Sequence, residues 1–228
     1  MMTILTIETS TSVCSAAWCI DGQAVASRLS TAGGNHASLL PTFIDELIQE
    51  AQQKGWKADA VAVSEGPGSY TGLRIGLSTA KGLCYGWDVP LIPIPTLDIL
   101  CQQAMATQPL PEDAILLPMI DARRMEVYTA HYTTSLQRTT PIMAQVVDDA
   151  QWLPTNQPIY YFGDGAAKCQ TALGMPHIHF LPDIIPNAAY MGPLAEQAQS
   201  IPAIEMAYYT PFYLKDFIPA PTHVKGLK

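Results

Sequence analysis

A chain of 228 residues, 48% hydrophobic and only 14% charged, is long enough for one large domain or two small lobes and too apolar to be disordered. Its 12 Lys and Arg stand against 20 Asp and Glu, and the resulting net charge of -8 has the wrong sign for a protein that grips nucleic-acid phosphates on its own. Five cysteines, an odd number with no Cys-x-x-Cys pair, give neither a disulfide framework nor a zinc ribbon and read as reduced core thiols.

The residues from Met1 to Glu8 carry no basic leader and reach a carboxylate after a few apolar side chains, which reads as a buried strand and a cytoplasmic protein. Apolar runs such as Ala114 to Ile120 fall far short of a bilayer's width, so no membrane partner is expected. Ile4 to Glu8, Val13 to Ile20 and Gln23 to Leu29 form three strand-like runs, and Asp21-Gly22 is a hairpin signal. Cys14 and Cys19, five apart in one strand, would point to opposite faces and could not share an ion. From His36 to Ala51 the spacing of Leu39, Leu40, Phe43, Ile44, Leu47 and Ile48 predicts an amphipathic helix. Ala60 to Ser64 reads as a buried strand, Glu65 to Tyr70 as a Gly/Pro-rich loop, and Thr71 to about Tyr85 as a helix. A strand over Val89 to Ile94 and a helix over Thr96 to Ala106 follow. Three strands before the first helix match a ribonuclease-H-like lobe, not a doubly wound sheet.

The polar stretch Thr107 to Asp113 reads as a lobe boundary. Beyond it come strands at Ala114 to Ile120 and Glu126 to Tyr132, a strand at Ile159 to Phe162, a helix at Gly165 to Leu173, a strand at Ile178 to Leu181 and a last helix at Ala188 to Gln199. The expected division is a first lobe over 1–106, a smaller α/β lobe over 107–204, and a segment over 205–228 that returns to the first lobe.

The loop from Gly66 to Gly72 opens onto a helix start, where glycines let a backbone approach a ligand and free N–H groups attract anions. Glu8, Gly66, Gly68, Ser69 and Thr71 are therefore candidate nucleotide or anion contacts, with a tight strand-to-helix turn as the alternative. No Gly-Lys-Ser/Thr follows, so this is not a P-loop. Gly72, Gly76 and Ala80 recur every four residues and stack on one helix face, which suits either a partner helix or the lobe's own sheet. Glu65 and Asp164 are the other acids that could join Glu8, a poor basis for a two-metal site. His177 and His179 share a strand face without a third ligand at metal spacing, so no metal is expected. His36 reads as a capping or surface residue, and Asp121 to Arg124 as a polar hairpin turn with solvated arginines. No catalytic constellation emerges.

Three stretches resemble the bacterial TsaB (YeaZ) family of tRNA threonylcarbamoyladenosine synthesis: Ile4-Leu5-Thr6-Ile7-Glu8-Thr9-Ser10, His36-Ala37-Ser38-Leu39-Leu40-Pro41 and the run from Glu65 to Gly76. Ile120 to Tyr128, Gly163-Asp164-Gly165-Ala166 and Pro211-Phe212-Tyr213-Leu214-Lys215 extend the resemblance over nearly the whole chain. It implies an actin-like ATPase-superfamily fold of two ribonuclease-H-like lobes. The implied role is that of a catalytically inactive partner and activator of a paralogous transferase, TsaD, which modifies an adenosine beside the anticodon of tRNA. Catalytic paralogues carry a His-Leu-Glu-Gly-His run whose histidines bind the active-site metal; here the stretch reads Thr96-Leu97-Asp98-Ile99-Leu100. The resemblance further implies partner contacts through Leu39, Leu40, Phe43, Leu47, Gly72, Leu73, Gly76 and Ala80, either with TsaD or with a second copy in a homodimer. A TsaE ATPase belongs to the larger complex, tRNA is met mainly through the other subunits, and no cofactor of its own is expected, with ATP confined to a subunit interface. A glycoprotease-like metallopeptidase or a small-molecule kinase or ATPase of the same fold is the alternative, and each would need metal ligands or Mg²⁺-directed carboxylates.

Overall fold

The computed structural model describes residues 1–154 and 156–215. The first lobe opens with an antiparallel meander of β1 (Thr3–Glu8), β2 (Cys14–Ile20) and β3 (Gln23–Ser30). It turns at Asp21 and Gly22, whose φ values of 47° and 76° lie in the left-handed region such turns require. α1 (His36–Lys54), β4 (Ala60–Gly66), α2 (Tyr70–Trp87) and β5 (Leu91–Pro95) follow. β4 pairs parallel with β1 and β5 parallel with β4, so the sheet runs β3-β2-β1-β4-β5.

Central strands β1 and β4 are buried along their length without alternation because both faces of the sheet are covered. On one face α1 and α2 pack Leu40, Ile44, Leu47, Leu77 and Ala80 against Leu5, Ile7, Trp18, Val61 and Val63. Each fully buried aliphatic side chain there contributes about 1.5–3 kcal/mol, and Trp18 Nε1 donates to the Leu47 carbonyl at 2.9 Å. On the other face Ile4, Ala17, Cys19, Ala62 and Ile92 meet chain from much later in the sequence. Cys14 and Cys19 fall in these two separate clusters, as their spacing predicts.

α3 (Thr96–Thr107) carries the chain across, packing Leu97, Leu100, Cys101 and Ala104 against Leu116, Ile120, Tyr132 and Phe162 of the second lobe. That lobe contains β6 (Ile115–Asp121), β7 (Glu126–Thr129), β8 (Met143–Val146), β9 (Ile159–Phe162) and β10 (Ile178–Phe180), ordered β10-β9-β6-β7-β8. β6, β7 and β8 are antiparallel neighbours, while β9 joins β6 and β10 joins β9 in parallel. Taken in chain order, the strands of both sheets lie third, second, first, fourth, fifth. The second lobe therefore repeats the topology of the first.

The structure departs from the expected elements in the second half of the chain, where the single helix expected over Ala188 to Gln199 is a 3-10 turn and a six-residue helix. β8 is four residues long with no fully buried position, so it carries no core signature in the sequence. The expected Gly165 to Leu173 helix is only a 3-10 turn at Ala167–Cys169, and the strand expected to reach Tyr132 stops at Thr129. The expected division at 107–204 is also corrected. The chain re-enters the first lobe at Ala188, where a 3-10 turn (Ala188–Tyr190) and α4 (Gly192–Gln197) pack Ala188, Met191 and Ala195 on the sheet face of Ile4 and Ala17. Thr6 Oγ1 donates to the Ala188 carbonyl at 2.8 Å and Ala188 N–H donates to Ser15 Oγ at 2.9 Å, which ties this segment to β1 and β2. After the short helix α5 (Ala203–Met206), Met206 and Tyr209 join the core beneath α1 and α2. Of the 205–228 segment, residues 216–228 lie outside the described residues.

Candidate functional site

α2 presents two stripes of small residues, one buried and one largely exposed. Gly72, Gly76 and Ala80 are buried together with Leu73, Leu77 and Cys84. A Cβ on Gly72 would collide with the Thr9 carbonyl and one on Gly76 with Thr9 Oγ1, the latter also resting in contact with Val63 at 3.5 Å. Thr9 Oγ1 donates to the Gly72 carbonyl at 2.8 Å, sealing the contact. The expected partner contacts at Gly72, Leu73, Gly76 and Ala80 are thus corrected: these residues let α2 lie close on β1 and β4 and are closed to any other molecule. The outward stripe runs through Thr71, Ile75, Ser78, Gly82 and Gly86, spaced for one helix face, with Tyr85 beside it 84% exposed. A Cβ on Gly82 or Gly86 would meet nothing within 4 Å. The sequence held the signal that separates them, since Leu73, Leu77 and Cys84 flank the inner stripe whereas Arg74 and Tyr85 flank the outer one.

On α1, Leu40 and Leu47 are fully buried and are likewise corrected from partner contacts to core. Leu39 and Phe43 are half-buried. They share a flank with Glu46 and Glu50, which Arg28 of β3 engages at 2.6 and 3.4 Å.

Between the lobes lies a cleft of about 1140 Å³, walled by Ser10 to Ser12 and Gly68 to Gly72 on one side and by Ile120 to Arg124 and Asp164 on the other. Gly68, Ser69 and Thr71 of the expected anion contacts line it; Glu8 and Gly66 do not. The glycines serve the chain itself. A side chain on Gly68 would strike the Ser10 carbonyl, and one on Gly66, at φ 116°, the Phe212 carbonyl. Ser69 N–H donates to the Ser10 carbonyl at 2.6 Å and Ser69 Oγ caps α2 by accepting from Gly72 N–H at 3.2 Å. Tyr213 lies over Tyr70 with ring centres 4.8 Å apart. The close-packed turn, weighed in the sequence against a phosphate cradle, describes this geometry.

Glu8 is fully buried at the end of β1. Its Oε1 accepts the Ser10 N–H, and its Oε2 has no well-placed partner among the described residues. Desolvation pushes this carboxyl up to about 7, against the pull of the nearby Ser10 and Ser64 groups and with a small push from Asp164. Asp164 itself rises to about 6, first through desolvation in the cleft, although one side of the residue stays open to solvent. Its Oδ1 accepts the Asp121 N–H at 3.1 Å. His36 is tied to the Val13 carbonyl at 3.0 Å. Arg123 and Arg124 are exposed at the tip of the β6–β7 hairpin, with φ of 71° and 52°. His179 is exposed and lies 4.9 Å from the Tyr160 ring. Among the described residues no three His, Cys, Asp or Glu side chains come together as a metal cage, and no helix is long and apolar enough to cross a membrane.

The model of the TsaD family, described as tRNA N6-adenosine threonylcarbamoyltransferase, matches residues 30–204. The tRNA threonylcarbamoyladenosine biosynthesis protein TsaB of Haemophilus influenzae is 30% identical over 94% of this chain and 94% of its own length. The chain belongs to the TsaB family. The Bacillus subtilis TsaB protein is 28% identical over 86% of this chain and 82% of its own. The solved structure of YeaZ from Pseudomonas aeruginosa superposes with a TM-score of 0.78 at 25% identity, covering 94% of this chain and all (100%) of that one. The fold is the two-lobed actin-like ATPase fold, and the repeated sheet order is its ribonuclease-H-like signature.

Membership makes the start of α3 informative. Thr96 and Leu100 stand where the resemblance places the two metal-binding histidines of catalytic TsaD proteins, and both are fully buried. Leu100 packs in the cluster of Leu116, Ile120 and Phe162, and an alkyl group supplies no lone pair to a metal. Asp98, on the same turn, accepts the Tyr132 hydroxyl at 2.6 Å. These residues do not fit a metal.

Proposed function

We propose that this TsaB-family chain acts in tRNA threonylcarbamoyladenosine biosynthesis as the non-catalytic partner and activator of a TsaD-type transferase in the cytoplasm. The observation that carries this reading is the pair Thr96 and Leu100, which put a hydroxyl and an isobutyl group at the two positions a metal-dependent transferase needs for imidazoles. The same pair argues against a metallopeptidase. A kinase or ATPase reading is disfavoured by the position of Glu8, which is fully buried and does not line the cleft, so its carboxylate does not reach a nucleotide-bound Mg²⁺ there. ATP, on this reading, belongs to an interface with another subunit, and TsaE joins through other surfaces. The acidic chain leaves tRNA contact mainly to the rest of the complex.

The docking face is the outer side of α2, through Thr71, Ile75, Ser78, Gly82 and Gly86, whereas Leu39 and Phe43 lie on the flank of α1 turned toward β3. Small residues on that α2 face admit a neighbouring helix at close range, and the same face serves a second copy when the partner is absent. The test is formation of threonylcarbamoyladenosine in a tRNA transcript by the cognate TsaD paralogue, with and without this chain. Strong dependence on the chain, together with no product from the chain alone, supports the reading. Product from the chain alone would overturn it.

A further inference from the structure

The last described residues run from the first lobe across the mouth of the cleft to the second. At the first-lobe end the attachment is dense. Lys81 Nζ donates to the carbonyls of Ala207 and Tyr209 at 3.0 and 2.8 Å, and the Tyr209 hydroxyl donates to the Glu65 carboxylate. Phe212 N–H donates to the Glu65 carbonyl at 2.7 Å, beside Gly66, whose missing side chain is what lets the Phe212 backbone come so close. Tyr213 then lies on Tyr70. At the second-lobe end the attachment among the described residues is Lys215, through an ion pair with Glu126 and a position 5.8 Å above the Tyr128 ring. Phe212, Tyr213, Leu214 and Lys215 line the same cleft as Ser10 and Asp164.

The two ends differ in kind. An ion pair between partly exposed side chains is among the weakest fastenings in a protein and weakens further in salt, and a solvent-exposed cation over an aromatic ring adds little. Backbone hydrogen bonds around a half-buried anchor do not let go so readily. We propose that residues 209–215 are a latch that sets the separation of the two lobes and opens reversibly at its Lys215 end while its Tyr209 to Phe212 end stays on the first lobe. Release of Lys215 frees the second lobe to turn about α3, which alters access to the cleft and the angle at which that lobe stands relative to the outer face of α2.

Lobe separation is measurable by pulsed electron-spin resonance between labels at Thr42→Cys and Gln170→Cys. Both positions are exposed and lie in different lobes, and the five native cysteines are buried and so resist labelling. The parent is expected to give one narrow distance distribution. Lys215→Ala and Glu126→Gln are each expected to add a second, displaced population, and the swap Lys215→Glu with Glu126→Lys to restore the narrow one. Raising salt to about 1 M in the parent is expected to reproduce the second population with no mutation at the latch. Unchanged distributions in both single variants and in high salt, with thermal melts showing folded protein, would overturn the proposal. So would a swap that fails to restore the parent distribution.

Discussion

Glu8 and the glycines of α2 show what single residues decide. Between the ordinary Glu value of 4.5 and its folded value of about 7, the folded chain holds a proton at Glu8 that the unfolded chain has released. Stability therefore falls as pH rises through that window and levels off above about pH 7, a loss on the order of 3 kcal/mol for this buried group. Asp164, raised from 3.8 to about 6, acts in the same direction over its own range. The melting temperature is expected to fall between about pH 5 and about pH 8, and Glu8→Gln to remove most of that slope; parallel slopes in parent and variant would show that Glu8 is not the group. Gly76→Leu drives a side chain into Thr9 and Val63, and is expected to cost about 3 kcal/mol or more, lowering the melting temperature by about 2–4 °C per kcal/mol. Gly82→Leu enters open space on an exposed helix face and should leave stability within about 1 kcal/mol of the parent. If calorimetry found the two equally harmful, the assignment of inner and outer stripes would be wrong.

Among the elements, α2 best shows what the sequence disclosed and what it concealed. Its existence and the regular spacing of its small residues were legible from residue types and periodicity. Its orientation was not read, because Gly72-Gly76-Ala80 and Ser78-Gly82-Gly86 share a spacing and differ only in their neighbours on the wheel. The Gly-rich loop concealed its use for a related reason: a glycine required by the Ser10 carbonyl or the Phe212 backbone looks, in sequence, the same as one required by a phosphate. On α1, Leu39 and Phe43 sit at the edge of the apolar stripe, where periodicity alone does not divide core from interface. The element-level expectation is that Gly82→Leu weakens association with the TsaD paralogue at least about tenfold while an exposed substitution in the second lobe, such as Gln170→Ala, leaves it unchanged, as titration calorimetry would measure.

At the scale of the molecule, the three-strand meander, the crossover helices and the Asp21-Gly22 turn made the first lobe readable, since each hydrophobic period matched one element. The second lobe was less so. β8 buries no full side chain, and α4 is short and small-residued, so neither announces that the sheet order repeats or that the chain returns at Ala188. Tertiary packing across some 170 residues, as in the Thr6 and Ser15 contacts to Ala188, leaves no local period to find. On the proposed function, this chain is a docking subunit whose outer α2 face meets a catalytic paralogue. Light scattering on a sizing column, with the cognate TsaD protein mixed with the parent or with Gly82→Leu, tests it most directly. One heteromeric species is expected for the parent and separate elution for a folded Gly82→Leu protein. Separate elution of the parent, or an undiminished complex with Gly82→Leu, would contradict it.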